Sequence, residues 1–474
     1  MEKWSSKFGF ILAAIGSAVG IGNIWRFSSV VGQNGGGAYL IPYLIAVFLF
    51  ALPLMILELV VGRHLQGNVV SSFGKIKTQF RIFGWAICAI VFVVLSYYLV
   101  ITGWTLGYLV SSLSNSGTTF SDFTSSYQPL VYFVIGTLLT GFIISFGVKK
   151  GIQRISTILM PFSFLLLIIL AIFCMTLSGF GEGIDFLFTP DFSVLSNPMI
   201  WSAAFGQAFF SLSVGFGVLL TYGGYLEKNT NIVHSSLIIT VADISVAFLA
   251  GLIIFPIVFT FNLAPGMGAE LAFSTLPLAF SLLAYGQVLA VAFFLLLFFA
   301  ALTSSIGMLE VSVAAVMEKT SFSRRKTSFL LTLLLLLVGL PAALSYTSMN
   351  LSFFGVRILD LLDETLGTIG LPITALLTTL VFTWFLQKKV FTEELLDSKW
   401  WTKLVLYMTK YVIPIVLLIT TVSQLVLNID FAGWSLVRNV QLLRGAVSGM
   451  LGLVLLGGAL GILLFIERNL HRYK

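Results

Sequence analysis

Read for hydrophobicity alone, the chain alternates long apolar runs with short polar punctuation. Twelve runs, at about 8–33, 38–62, 82–113, 130–147, 152–177, 199–226, 232–262, 289–319, 327–345, 355–387, 405–428 and 445–466, are of membrane-spanning scale. A helix of roughly 20 apolar residues crosses the hydrocarbon core of a bilayer. In lipid every backbone polar group must be satisfied internally, so apolar runs of this length predict helices. The pattern predicts an all-α polytopic membrane protein with about twelve transmembrane helices. Three connecting stretches stand out. Residues 178–198 form an outer loop with acids and no Lys or Arg. Residues 263–288 are apolar but broken by Pro and Gly, and read as a helical hairpin over the outer face. Residues 390–404 read as an amphipathic helix lying at the cytoplasmic interface.

Composition supports lipid as the main solvent. Hydrophobic residues make up 58% of the 474 and charged residues 9%, against about 25% charge in soluble domains. The net charge of +7 matters less than its placement. With the N-terminus in the cytoplasm, inner loops hold 22 of the 26 basic residues. Arg357, Arg438 and Arg444 fall outside, and Arg26 falls within the membrane. That bias predicts an N-in chain with both termini cytoplasmic. The basic residues sit in short loops between apolar runs, which excludes a nucleic-acid surface. Lys3 and Lys7 ahead of an apolar stretch resemble a signal peptide. The glycines inside that stretch, and its continuation into Arg26 and Gly35-Gly36-Gly37, argue against one. Cys88 and Cys174 lie in apolar runs without CxxC spacing, so they read as small packing residues.

The informative positions are those where the apolar pattern fails. The first run reads GFILAAIGSAVGIGNIWRF, with Gly16, Gly20 and Gly22 mid-membrane, followed by Asn23 and Arg26. Small residues spaced by four make a helix-packing face, which accounts for Gly16 and Gly20. Gly22 and Asn23 do not fit that spacing and predict a break around Gly16–Asn23. The sixth run, AFFSLSVGFGVLLTYGGY, is interrupted at Ser211, Ser213, Gly215 and Gly217. Two interrupted helices, five apart, match the inverted repeats of secondary transporters. Freed carbonyls can coordinate a cation and half-helix N-termini can hold a carboxylate.

Two further features bear on ions. Thr303, Ser304 and Ser305 bring three hydroxyls together in the eighth run. Such hydroxyls can simply bond back to their own helix, but with carbonyls they also suit sodium. Asp243 is a lone carboxylate within the seventh run. An intramembrane carboxylate is costly and is a functional candidate, as a cation ligand, a proton carrier or both. His64, His234 and His471 all lie at cytoplasmic ends, so no histidine-based enzyme site is built within the membrane.

The runs GSAVGIGNIWRF, NGGGAYLIPY and PLMILELVVGR resemble the neurotransmitter:sodium symporter family, whose bacterial members include LeuT-type amino acid transporters. The resemblance continues through SYYLVITGWTLGY, SLSVGFGVLLTYGGYL, FFAALTSSI and DETLGTIG, and covers about residues 4–387 in order. It implies a LeuT-like five-plus-five inverted repeat with helices 1 and 6 broken. Residues 1–387 would form the transporter core, with repeats at about 1–177 and 199–387. Residues 388–474 would hold helices 11 and 12 and a cytoplasmic tail.

The resemblance also implies two sodium sites. One would use carbonyls of Gly16, Val19 and Ala300 with the hydroxyls of Thr303 and Ser304. The other would use the Ala18 carbonyl, Asn23, Ser211, Asp243 and the substrate carboxylate. That carboxylate would meet the Ile21 and Gly22 amides and the Tyr98 hydroxyl. The substrate amine would face carbonyls of Ala18, Phe210, Ser211 and Ser213. Val94, Tyr98, Phe210, Ser213, Phe216, Ser304 and Met308 would line the side-chain pocket.

Monoamine carriers of the family place an aspartate where this chain has Gly20, so glycine implies an amino acid cargo with its own carboxylate. Val94, Phe210, Phe216 and Met308 imply a neutral, hydrophobic one. Animal members have asparagine at the position of Asp243 and need chloride nearby; LeuT-type members supply an acid one turn on, where Ala247 stands. Asp243, among Tyr43, Gln207 and Ser211, would replace the anion, giving chloride independence and proton antiport. Arg26 and Asp363 would form the outer gate, and Trp4, Tyr225 and Glu318 the inner one. The family's arginine three residues before the tryptophan falls on Met1, so Lys3 substitutes or the natural start lies upstream.

The expected function is sodium-coupled import of a neutral L-amino acid by alternating access in a bacterial inner membrane. Other readings are a carrier of glycine or a GABA-like zwitterion, and a non-transporting sensor on the same fold. The expected ligands are about two Na+ ions and the amino acid. The expected surroundings are lipid, with no nucleic acid and no obligatory protein partner.

Overall fold

The computed structural model describes residues 2–263, 271–353, 355–395 and 398–426. The twelfth apolar run, at 445–466, lies outside these residues, as does part of the 263–288 stretch. Among the described residues nine helices are long and apolar enough to cross a membrane. A tenth span is a bent pair, α1 (Lys7–Ala18) and α2 (Gly22–Gln33), whose axes differ by 57°. The nine are α3 (Gly37–Leu65), α4 (Thr78–Ser114), α5 (Gln128–Ser145), α6 (Val148–Cys174), α10 (Ile232–Thr260), α12 (Gly286–Lys319), α13 (Arg324–Leu344), α14 (Ile358–Phe385) and α16 (Lys399–Val422). The sixth apolar run is divided into α8 (Pro198–Ser211) and a short α9 (Val218–Gly223), neither long enough to span alone. The protein is a multi-pass membrane protein, as its apolar pattern predicts.

The first break is narrower than the glycine pattern suggests. Gly16 stays inside α1, whose last helical residue is Ala18. Val19 turns extended, and Gly22–Arg26 then forms a wide π-helical turn. The second break is the wider one. Between Ser211 and Val218 the backbone passes through positive φ at Ser213 (51°), Gly215 (86°) and Gly217 (70°). Glycine adopts that region freely, whereas serine does so at a cost that its surroundings must offset.

Smaller elements cover the face opposite the start of α1. Within 178–198 lies a nine-residue helix, α7 (Phe180–Phe188). The described end of the 263–288 stretch is helical over Leu271–Leu282 (α11) and turns at Tyr285 into α12. Phe273 of α11 packs on Trp25, Trp104, Tyr108, Phe120 and Phe294, joining α11 to α2, α4 and α12. A two-residue β-hairpin, β1 (Ser352–Phe353) with β2 (Val356–Arg357), precedes α14. The 390–404 stretch is not one interfacial helix. It ends α15 (Lys388–Glu394) and begins α16 at Lys399.

Packing places the breaks at the centre. α1 lies against α6, α10 and α12, while α12 also packs along α4. Phe142, Ile168 and Leu337 on α5, α6 and α13 are exposed, as helix faces in lipid should be.

Candidate functional site

The two breaks face each other and are stitched together by side chains. Ser213 Oγ donates to the Ser17 carbonyl at 2.9 Å, which ties the strained turn of the second break to the end of α1. Gln207 Nε2 donates to the Gly22 carbonyl at 3.0 Å. A small cavity lies between them, lined by Ala18, Gly22, Val94, Tyr98, Phe210, Ser213, Phe216, Ser304 and Met308, all expected from the sequence. Ser17, Gly20 and Asn23 line it too. Ser17 went unnoticed beside the glycines because a serine in an apolar helix usually bonds to its own backbone. Ile21 is not a lining residue; its amide meets the Tyr98 hydroxyl at 3.4 Å. Ser211 also turns away from the cavity, toward Asp243.

Gly20 and Gly22 are required by close approach. A Cβ on Gly20 would sit 2.8 Å from Ser304 Oγ and 2.9 Å from the Tyr98 hydroxyl oxygen. A Cβ on Gly22 would sit 2.6 Å from the Phe210 ring. The backbone is therefore the wall of the cavity at both positions.

Two oxygen-rich clusters flank this wall. In the first, Ser304 Oγ lies 3.3 Å from the Gly16 carbonyl oxygen, 3.2 Å from that of Ser17 and 3.3 Å from that of Val19. Thr303 Oγ1 lies 3.1 Å from the Ala300 carbonyl oxygen and 2.9 Å from that of Phe299. Ser304 thus reaches the carbonyls of the α1 end, while Thr303 bonds back to its own helix with its Cβ 3.1 Å from where a Cβ on Gly16 would stand, and none of these groups carries a formal charge. In the second, Asn23 Nδ2 donates to Asp243 Oδ1 at 2.6 Å and to Ser211 Oγ at 2.7 Å. Ser211 Oγ donates to Asp243 Oδ2 at 2.7 Å. Asn23 Oδ1 accepts from the Gly20 amide at 3.0 Å. Asp243 is fully buried in α10 with no ion pair among the described residues. Its neutral hydrogen-bond partners compensate only part of the cost of burying a carboxylate.

The neighbours expected around Asp243 do not all point at it. Gln207 spends its amide nitrogen on Gly22, and its Oε1 has no partner among the described residues. Tyr43 does belong there: its hydroxyl interacts with Ser211 and lies near Asp243, while its ring stacks on Tyr39.

With this geometry in place, similarity decides the family. The chain matches the sodium:neurotransmitter symporter family over residues 1–127 and 122–435. This chain belongs to that family. It is 38% identical over 407 residues to the uncharacterized sodium-dependent transporter YhdH of Bacillus subtilis, across 83% of this chain and 89% of that one. It is 35% identical to an uncharacterized sodium-dependent transporter of Haemophilus influenzae, across 90% of this chain and 98% of that one. The crystal structure of MhsT in complex with L-phenylalanine matches with a TM-score of 0.83 at 38% identity, covering 89% of this chain and 99% of that one. The fold is the LeuT type with broken helices 1 and 6, and the chain is a sodium-dependent transporter, not an enzyme.

The residues expected as gates lie on both sides of the cavity. On the outer side Arg26 and Asp363 make no direct ion pair. The Arg26 guanidinium stacks 4.5 Å from the Phe210 ring centroid, and Asp363 Oδ1 accepts from the Tyr97 hydroxyl at 2.9 Å. On the inner side Trp4 is buried against Tyr222 and Tyr225; its indole N–H donates to the Tyr222 carbonyl at 3.0 Å. The acid in contact with Tyr225 is not the one expected from the sequence. Glu318 accepts from Asn68. The Tyr225 hydroxyl donates instead to Glu310 Oε1 at 2.6 Å. Glu310 is fully buried and held by Arg324 through two contacts, at 2.7 and 2.9 Å. Nothing in the local sequence distinguishes the two glutamates of α12. Lys3, the suggested substitute for the missing arginine, is exposed and outside this network.

Proposed function

We propose that this transporter is a sodium-coupled symporter importing a neutral, hydrophobic L-amino acid by alternating access. The observation that carries the reading is Gly20. Its backbone stands against Tyr98 and Ser304 with no room for a side chain, so a carboxylate near the Ile21 and Gly22 amides has to come with the cargo. The apolar Val94, Phe210, Phe216 and Met308 around the cavity favour an apolar side chain. The similarity to MhsT, solved with L-phenylalanine, supports the same class.

Two sodium ions would occupy the two clusters. The neutral cluster of Gly16, Val19, Ala300, Thr303 and Ser304 would hold one by dipoles alone. The cluster of Ala18, Asn23, Ser211 and Asp243 would hold the other, completed by the cargo's carboxylate, so each ligand raises the affinity of the other. The fixed charge of Asp243 would remove any need for chloride. When sodium leaves, a proton would neutralise the buried carboxylate for the return step, coupling sodium entry to proton exit. Arg26 and Asp363 would draw together over bound cargo, and the inner contacts of Trp4 and Tyr225 would part to release it. The charge bias supports cytoplasmic termini, and short loops suit a bacterial inner membrane.

The test is uptake into proteoliposomes under an imposed inward sodium gradient, across a panel of neutral amino acids that includes glycine and GABA. Accumulation of hydrophobic members is expected. Accumulation of glycine or GABA alone would replace the substrate class, and accumulation of none would end the symporter reading.

A further inference from the structure

We propose that the inner gate of this protein is latched by an acidic prong, Glu2, on a cation, Arg324, reversing the polarity that its family resemblance suggests. Arg324 opens α13 on the inner side, and its side chain is largely buried. Its guanidinium faces two acids. Glu310, fully buried on α12, takes both terminal nitrogens. Glu2, from the segment ahead of α1, places Oε1 2.8 Å from the Arg324 Nε. The second oxygen of Glu2 accepts from the Val148 amide at the start of α6.

The two acids are not equivalent. Glu310 and Arg324 lie on consecutive helices, and a buried carboxylate without its cation is strongly unfavourable. That pair therefore stays intact in any state, as a fixed receptor. Glu2 is attached to α1 and Tyr225 follows α9, so each comes from one of the two broken spans. Both end on the same receptor: Tyr225 on the Glu310 carboxylate and Glu2 on the Arg324 guanidinium. Inward opening needs both prongs to leave, while the receptor keeps its own charge compensation. Glu2 is partly exposed, 38% by side chain, so its release costs little and can be driven by ion and cargo release.

Glu2 is a positioning residue, and its variants should fold because its side chain is partly exposed. The test is hydrogen–deuterium exchange of the intact protein in sodium and in potassium, following peptides that cover 2–10 and 146–153. Glu2→Gln should speed exchange in both peptides about two- to fivefold in sodium, the range of a partly exposed ion pair. Glu2→Lys should speed it further, since it repels Arg324, and Glu2→Asp should restore part of the protection. A second readout, which rests on the proposed function and applies once wild type shows L-phenylalanine counterflow, is that counterflow, where Glu2→Lys should lower the trapped level while leaving equilibrium binding within about twofold. Equal exchange in wild type and Glu2→Lys would overturn the proposal. So would equal loss in Glu2→Gln and Glu2→Lys, which would mean that only the Val148 hydrogen bond matters.

Discussion

The two oxygen clusters beside the broken helices differ in one respect that organises the rest. The cluster at Thr303 and Ser304 is built from hydroxyls and carbonyls and has no formal charge. The cluster at Asn23, Ser211 and Asp243 contains an ionisable carboxyl group, buried and bonded only to neutral groups. A neutral oxygen cage binds a cation by geometry and releases it when the cage opens. A bare buried carboxylate is costly, so under the proposed function a cation leaving it would be replaced by a proton. The difference suggests that the first cluster reports conformation and the second sets which ions are coupled.

Gly20→Asp should produce the largest effect, because it strikes between the clusters. The added atoms would meet Ser304 Oγ and the Tyr98 hydroxyl. Its charge would also oppose the carboxylate of an amino acid; like-charge juxtaposition costs several kcal/mol. Sodium-driven amino acid uptake should fall about 100-fold or more, to the rate of empty liposomes.

Ser304→Ala comes next. It removes the hydroxyl nearest three carbonyls of the α1 end. Hydrogen-bonding groups on ions contribute about 1.5–3 kcal/mol, so half-saturating sodium should rise roughly tenfold or more. Thr303→Ala should act in the same direction. An equal shift in both variants in the absence of cargo would show that this cluster binds its ion without the substrate.

Proton coupling sharpens the contrast. Sodium-driven uptake by wild type should make the liposome lumen more alkaline, because protons leave as sodium enters. The Asp243→Asn protein should transport without that change, as read by a trapped pH dye. The smallest effect belongs to Asp363→Asn, which keeps a hydrogen bond to Tyr97 but loses charge toward Arg26. Half-saturating substrate should rise about two- to fivefold, in keeping with a partly screened pair.

Much of this was legible in the chain. The apolar runs marked the spans because lipid leaves helices little alternative. Gly22 beside Asn23 and the Ser/Gly run at 211–217 marked the breaks because neither fits a packing face. The width of the first break was not legible, since Gly16 is as acceptable in a packed helix as in an unwound one and stays helical. The inner acid was not legible either. Glu310 and Glu318 are two turns apart on one helix, about 80° around its axis, and only the packing shows which meets Tyr225. Arg324 was hidden among neighbouring basic residues that read as orientation charge.

The difference between the clusters is tested most directly by chloride replacement. Sodium-driven amino acid uptake is measured with chloride and with gluconate, in wild type and in Asp243→Asn. Uptake by wild type is predicted to be the same in both anions, and uptake by Asp243→Asn to need chloride. A wild type that stops in gluconate, or an Asp243→Asn protein indifferent to it, would contradict the role assigned to that carboxylate.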